Sequence, residues 1–131
     1  MTLPSLAHIG IVACGGAAGS AMRFMASAMV AGLFPESRYP WGTTFVNIIG
    51  CALLGFLVEL FSARFAVSLE MKLFLLTGFL GGFTTFSAFG LETATLLRSG
   101  EFFTAALSVL LQVVLGCGAV FLGGALTRIL P

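Results

Sequence analysis

The chain is interrupted at its centre by Thr77-Gly-Phe-Leu-Gly-Gly-Phe-Thr-Thr-Phe-Ser-Ala-Phe-Gly90, within an apolar segment that begins near Met71. The glycines lower helix stability, and the threonine and serine hydroxyls can replace missing backbone hydrogen bonds. We therefore expect a broken helix. Non-helical backbone at membrane depth is tolerated only where protein buries it or where it lines a watery cavity, so the break predicts an ion site.

The composition around this stretch is that of an integral membrane protein. Of the 131 residues, 59% are hydrophobic and only 8% are charged, and the mean hydropathy is +1.12. These values lie far from those of a soluble domain. The net charge of +1 offers no basic patch, which excludes nucleic acid as a partner.

Apolar runs long enough to cross a bilayer occur four times, and about 20 residues are needed for each crossing. The whole chain, 1–131, is therefore expected to form one four-helix transmembrane domain with both termini on one side. Tyr39 and Trp41 are expected to anchor the second crossing at headgroup level. The predicted spans are about 6–33, 41–61, 71–97 and 102–126.

Lys and Arg are shared almost equally between the two sides of the membrane, so they set no clear orientation. A chain without this preference can insert both ways, which favours an antiparallel homodimer with dual topology. One side carries Arg64, Lys72 and Arg128, and the other carries Arg38 and Arg98, with Arg23 approaching it.

Four short helices enclose little space, so we expect a pore at a subunit interface. Small residues four apart let helices approach closely. We expect Gly15 with Gly19 and Gly78 with Gly82 to provide such contacts there.

The three cysteines are predicted to be packing residues. Cys14, Cys51 and Cys117 lie far apart in apolar runs, without the close pairing used by metal sites and redox motifs. His8 is isolated and is assigned no role, so the sequence offers no nucleophile and base pair and no metal cluster. An enzyme is not expected.

Two polar side chains are candidates for anion binding, each with a structural alternative. Arg23 either attracts an anion in a watery vestibule or extends to the headgroups from the helix end. Asn47 either offers amide hydrogens to an anion or makes an ordinary hydrogen bond between membrane helices. Both approach the same side of the membrane and could share a vestibule.

Phe86 and Phe89 are three residues apart and share a face where the segment is helical. Phenylalanines in a membrane are commonly packing residues, but their positively polarised ring edges can also contact an anion. Glu92 lies beyond them toward the side of Arg23, where it could pair with a cation or reach the interface.

Three motifs together carry a resemblance. The motifs are Gly15-Gly-Ala-Ala-Gly19 followed by Arg23, Trp41-Gly-Thr-Thr-Phe-Val-Asn47-Ile-Ile-Gly50, and Gly78-Phe-Leu-Gly-Gly-Phe-Thr-Thr-Phe-Ser-Ala-Phe-Gly-Leu-Glu92. With these three motifs in order, the chain resembles the Fluc (CrcB) fluoride channel family, and the match covers most of the protein.

The resemblance implies a dual-topology antiparallel homodimer with two fluoride pores. It also implies a central structural Na+ bound by backbone carbonyls at the third-helix breaks of both subunits, at positions that match Gly81 and Thr84. The fluoride path implied by the family contains the paired phenylalanines, the pore asparagine and the vestibule arginine, which match Phe86, Phe89, Asn47 and Arg23.

The sequence departs from the family pattern at Ala88, where members often carry a threonine in a polar track beside the phenylalanines. Ser87 is still available for that track. In the fourth span, Ser108 and Gln112 lie four apart on one face and either add donors or serve helix packing.

The resemblance therefore implies a channel in the cell inner membrane that exports cytoplasmic fluoride passively and so reduces its toxicity. The leading alternative is a small dual-topology multidrug or cation antiporter. Such a transporter needs a carboxylate within the membrane, whereas the first span carries Arg23, and Glu59 and Glu92 lie toward span ends. A second alternative, an assembly subunit of a larger membrane complex, leaves the polar break unexplained.

Overall fold

The computed structural model describes residues 4–63 and 65–129, which form four crossings; Arg64 lies outside the described residues. The first, second and fourth are the continuous helices α1 (Leu6–Leu33), α2 (Trp41–Ala63) and α6 (Phe102–Leu126). The third extends over Leu69–Arg98. All four are long and apolar enough to span a bilayer, which confirms the prediction of a four-span membrane protein.

The third crossing consists of four helical pieces and two extended residues. Its pieces are α3 (Leu69–Lys72), a π-helical segment (Leu73–Leu80), α4 (Gly81–Phe83) and α5 (Phe86–Arg98). Between α4 and α5, Thr84 has φ −82° and ψ 160°, and Thr85 has φ −152° and ψ 110°. The predicted break is therefore present. The π-helical segment before it was not predicted.

Glycines bring α1 directly against the first half of the third crossing. A Cβ atom on Gly15 or Gly19 would overlap the backbone carbonyl oxygens of Phe74 and Phe79, respectively. Gly78 and Gly82 pack in the same way against the backbone of α1. Our expectation that these pairs serve a subunit interface was wrong, because close approach of the two helices within one chain already requires all four.

A second glycine contact joins α2 to α6. A Cβ atom on Gly55 would overlap the carbonyl oxygen of Val120, and one on Gly123 would overlap that of Ala52. The two helices pack along each other, and α5 also packs on α6. The helices thus form two pairs. One pair is α1 with the first half of the third crossing, which leads into the break, and the other is α2 with α6, which carries polar residues that meet the break.

The buried interior is unusually polar, while large apolar side chains are exposed on the outside. Phe24, Leu110 and Phe121 are 75%, 60% and 79% exposed, which suits contact with lipid tails. The buried polar residues are Thr43, Thr44, Ser108, Gln112 and Thr127. Most of them lie on α2 and α6.

The loop between α1 and α2 is closed by aromatic side chains. The Trp41 ring lies 4.5 Å from that of Tyr39 and 5.2 Å from that of Phe34, measured between centroids. The Trp41 indole also donates to the hydroxyl of Ser37. Arg38 forms an ion pair with Glu101, which ties this loop to the start of α6.

Candidate ion site at the helix break

The break is bound to α2 through the side chain of Asn47. Its Oδ1 accepts a hydrogen bond from the backbone N–H of Thr85 at 2.7 Å, and its Nδ2 donates to the Thr85 carbonyl at 3.1 Å. A single amide thus satisfies both backbone groups of an extended residue. This is the pairing that non-helical backbone within a membrane requires.

The same amide continues the network into α6. Asn47 Nδ2 also donates to Oε1 of Gln112 at 2.8 Å, and Gln112 Nε2 donates to Oγ of Ser108 at 3.1 Å. The four-residue spacing of Ser108 and Gln112 therefore places both on the face of α6 that meets the break. The network joins three elements that are far apart in sequence.

A cleft of about 310 Å³ opens beside this network. It brings together polar groups of α2, the break and α6 with the two phenylalanines of α5, so most of the predicted path residues share one space. The lining residues that carry the argument are Asn47, Thr84, Thr85, Phe86, Phe89 and Gln112.

Phe86 and Phe89 are neighbours on the first turn of α5. Their ring centroids are 5.4 Å apart and their planes are inclined by 53°. Phe86 is 82% exposed, so most of its surface is free of contact within its own chain. An exposed ring at the rim of a polar cleft can present its edge to an ion.

Arg23 lies on the other helix pair. Its Nε donates to the carbonyl oxygen of Gly82 at 3.1 Å, and the Ser20 hydroxyl donates to the same oxygen at 3.4 Å. Arg23 does not line the cleft that contains Asn47. Within one chain, the structure therefore does not place these two residues in a shared vestibule.

The carbonyls of Gly81 and Thr84 lose their helical partners at the break. In a continuous α-helix they would accept from the N–H groups of Thr85 and Ala88. Those groups donate instead to Asn47 Oδ1 and to the Thr85 hydroxyl. Two carbonyl oxygens are thus available at the break, and such oxygens are suitable ligands for a hard cation.

Ser87 is exposed and lies 3.3 Å, between hydroxyl oxygens, from Thr85. It is not among the residues that line the cleft. Ala88 supplies a backbone N–H to Thr85, so the local hydroxyl pair lies between residues 85 and 87. The Thr85–Ser87 hydroxyl pair is therefore present although position 88 is alanine rather than threonine.

Glu92 contacts α2 through Thr43. Its Oε1 accepts a hydrogen bond from the Thr43 hydroxyl at 2.6 Å, and both residues line a second cleft near Tyr39 and Trp41. Its Oε2 and the hydroxyl of Thr93 are buried without a partner in the part of the chain that the structure describes.

Sequence reasoning named Thr85 as one of the hydroxyls that replace missing backbone hydrogen bonds, and its hydroxyl does accept from the Ala88 N–H. It did not single out Thr43 or Gly50 individually. Thr43 was visible only as part of the Trp41–Gly50 motif, and its partner Glu92 lies 49 positions away. Gly50 lies where a Cβ atom would overlap the methyl group of Thr84, so it makes room for the break. Residues 4–63 and 65–129 contain no cluster of three His, Cys, Asp or Glu side chains suited to a metal.

Comparison with known proteins identifies the family. Residues 10–124 match the family model described as "CrcB-like protein, Camphor Resistance (CrcB)". Proteins of Agrobacterium fabrum and Desulforapulum autotrophicum, each named "Fluoride-specific ion channel FluC", are both 46% identical to the chain. The first alignment covers 92% of this chain and 96% of the relative, and the second covers 91% and 94%. A protein of Methylobacillus flagellatus with the same name is 46% identical, and the alignment covers 90% of this chain and 92% of the relative. The chain therefore belongs to the CrcB family, the family of the FluC fluoride-specific ion channels.

Proposed function

We propose that this protein is a fluoride-selective channel through which fluoride leaves the cytoplasm passively. The observation that carries the proposal is membership of the CrcB family at 46% identity to proteins named fluoride-specific ion channels, over nearly the whole chain. The multi-pass fold agrees with it, and the inner membrane is the proposed location. Relatives of this kind favour neither the antiporter nor an enzyme.

The direction of flow needs no energy source in the protein. Hydrogen fluoride is a weak acid that crosses membranes uncharged and releases fluoride inside the cell. The inside-negative potential then drives the anion outward through any selective pore. The chain has only to provide the path and the selectivity.

Selectivity requires donors that replace tightly bound water in a passage too narrow for chloride. We assign the path to the cleft beside the break, where Asn47, Phe86 and Phe89 meet, with Ser87 at its exposed margin. Phenylalanine edges supply positive polarisation without a fixed charge. Arg23 adds positive charge near the break and raises the local concentration of anions.

The carbonyls of Gly81 and Thr84 fit the structural Na+ that the family implies. Both lose their helical donors at the break, so their oxygens are free to bind a cation. When bound, the ion would supply positive charge beside the path and link broken helices. Two carbonyls are an incomplete set, and a second copy of the chain would provide the other two.

An antiparallel homodimer follows from the same reasoning. The exposed Phe86, the open cleft and the incomplete carbonyl set all call for a second subunit, and the near absence of charge bias permits opposite insertion. Cysteine labelling of one loop, in a variant without Cys14, Cys51 and Cys117, tests the topology. Dual topology predicts labelling from both sides of the membrane, and labelling from one side alone would exclude it.

The channel itself is tested by fluoride efflux from liposomes that contain the purified protein, followed with a fluoride electrode. Chloride-loaded liposomes report selectivity. We expect rapid efflux of fluoride only, reduced strongly by Phe86→Ile, which removes the ring edge. Phe121→Ile is the matched control, because Phe121 is 79% exposed on α6 and does not line the cleft. A folded protein without fluoride efflux would contradict the proposal.

A further inference from the structure

A third cleft, of about 500 Å³, lies between α2 and α6 toward their C-terminal ends. We call it the α2–α6 cleft. It shares only Leu54 with the cleft beside the break, and none of the residues assigned to the fluoride path or to Na+ lines it. Its volume is within the range of about 300–1,000 Å³ that is usual for small-molecule sites. The lining residues on which its chemistry depends are Gly55, Val58, Glu59, Phe121, Gly124 and Arg128.

The α2–α6 cleft lies where both helices leave the hydrocarbon of a bilayer. α2 has 23 residues and is therefore about 34 Å long, slightly more than the hydrocarbon thickness of about 30 Å. Glu59 comes one turn before its last residue, Ala63, and Arg128 follows the end of α6. The second and fourth crossings run in the same direction, so both charges are near headgroup level on the same side of the membrane.

Glu59 and Arg128 line this cleft without pairing to each other. Glu59 is half-buried and Arg128 is exposed. The ion pair that the structure shows among residues 4–63 and 65–129 is the one between Arg38 and Glu101. A carboxylate at the edge of the hydrocarbon is costly unless a cation compensates it. A molecule that carries both a cation and an anion would compensate both side chains at once.

The floor of the cleft is backbone and its rim is apolar. A Cβ atom on Gly124 would lie 3.6 Å from the carbonyl oxygen of Gly55 and 3.9 Å from the Cβ atom of Glu59. The missing side chain at Gly124 therefore leaves room directly beside Glu59. Val58 and Phe121 are exposed, which suits contact with an acyl chain.

We propose that the α2–α6 cleft binds phosphatidylethanolamine, with the lipid ammonium on Glu59, the phosphate on Arg128 and an acyl chain along Phe121. A guanidinium group matches the geometry of phosphate oxygens. A primary ammonium has three N–H donors for a carboxylate, whereas the quaternary ammonium of phosphatidylcholine has none. An anionic lipid such as phosphatidylglycerol would leave Glu59 without a cation.

A second copy of the chain is a poorer occupant of this cleft. The dimer contact that we propose lies at the helix break, beside Asn47. Glu59 follows Asn47 by three turns of α2, which corresponds to about 18 Å along the helix axis. The lipid site does not depend on which ion the protein conducts, and its test does not measure efflux.

Native mass spectrometry of the purified protein, released from detergent micelles with lipid added in steps, tests the site. We expect saturable binding of one phosphatidylethanolamine per chain, and roughly tenfold weaker binding of phosphatidylcholine with the same acyl chains. Glu59→Gln and Arg128→Gln should each weaken binding of phosphatidylethanolamine by a similar factor. Glu36→Gln and Arg98→Gln are the matched controls, because both side chains are exposed and neither lines the cleft, and they should bind it as the wild type does.

Gly124→Leu fills the cleft and keeps both charges, so it should abolish the saturable binding while the protein elutes as the wild type on gel filtration. Gly118→Leu, on the same helix but outside the cleft, should retain it.

Equal affinity for phosphatidylethanolamine and phosphatidylcholine would overturn the proposal. Tighter binding of phosphatidylglycerol would also overturn it and would show that Arg128 alone attracts an anionic lipid. The absence of saturable binding would overturn it as well, and short distances between spin labels at Val58 of two chains would then identify the cleft as a subunit contact.

Discussion

The Nε nitrogen of Arg23 donates a hydrogen bond to the carbonyl oxygen of Gly82, with 3.1 Å between the two atoms. In a continuous helix that oxygen would accept from the N–H of Phe86, but the extended Thr84 and Thr85 carry the chain out of helical register. The arginine thus replaces a missing backbone donor. It stabilises one side of the break, and Asn47 stabilises the other.

Arg23→Lys should destabilise the protein although the charge is kept. Lysine has no donor at the Nε position and no planar fork, so the bond to Gly82 is lost or lengthened. Hydrogen bonds to charged groups contribute about 1.5–3 kcal/mol, and partial exposure of Arg23 places the expected loss near the lower end. Thermal unfolding in detergent, followed by circular dichroism, measures it.

Ser20→Ala is the comparison, because Ser20 donates to the same carbonyl at 3.4 Å, near the limit of a hydrogen bond. Its effect on the unfolding temperature should be smaller than that of Arg23→Lys. If both variants unfold at the same temperature as the wild type, Arg23 does not stabilise the break, and its role would be limited to attracting anions.

Asn47→Leu should be among the most destabilising polar substitutions in the chain. It leaves both the N–H and the carbonyl of Thr85 without their partner, and each unpaired buried group costs about 1–3 kcal/mol. Asn47→Asp retains an acceptor for the Thr85 N–H and should lose less. Equal unfolding temperatures for wild type and Asn47→Leu would contradict the role of Asn47 at the break.

Much of the fold could be predicted from the sequence because lipid imposes simple requirements. The number of crossings follows from apolar length, and the break follows from glycines and hydroxyls crowded at 77–90. The predicted ends differ from the observed ones by two residues or fewer at α2 and at both ends of the third crossing.

The contacts could not be predicted because they depend on register between distant helices. Gly15 and Gly19 have the spacing of a helix contact, but nothing in the spacing distinguishes a partner in the same chain from one in another. The pairing of Asn47 with both backbone groups of Thr85 depends on how α2 faces the break, 38 positions away. The sequence alone left Asn47 with two alternatives, an anion ligand or a hydrogen bond between helices, and could not identify Thr85 as its partner.

Gly19→Ala should prevent α1 from packing on the third crossing. The added methyl group would overlap the carbonyl of Phe79, a backbone atom that cannot move aside without shifting the helix. Overpacking of this kind costs about 1–3 kcal/mol. Gly10→Ala on the same helix meets nothing within 4 Å and should unfold at the wild-type temperature. Similar stability of the two variants would contradict the observed helix contact.

Gly50→Ala tests the fit between α2 and the break. The new methyl group would overlap the Cγ2 methyl of Thr84, whose carbonyl we propose as a Na+ ligand. We expect lower stability and weaker fluoride efflux. The double variant Gly50→Ala/Thr84→Ser removes the clashing methyl while keeping the hydroxyl that donates to Leu80, so it should recover most of the loss. Purely additive effects of the two substitutions would contradict this account.

Gly81→Leu separates folding of the chain from assembly of the proposed homodimer. Gly81 is helical, with φ −62°, and a Cβ atom there meets nothing within 4 Å, so a side chain at this position begins in open space within a single chain. In an antiparallel dimer with Na+ between the breaks, the same side chain would lie against the second copy. We expect a folded but monomeric protein by light scattering in detergent, without fluoride efflux.

Gly118→Leu is the control, because its surroundings within the chain are equally open, and it should remain dimeric. A fully dimeric Gly81→Leu variant with wild-type efflux would place the dimer contact elsewhere and remove the support for a cation between the two breaks.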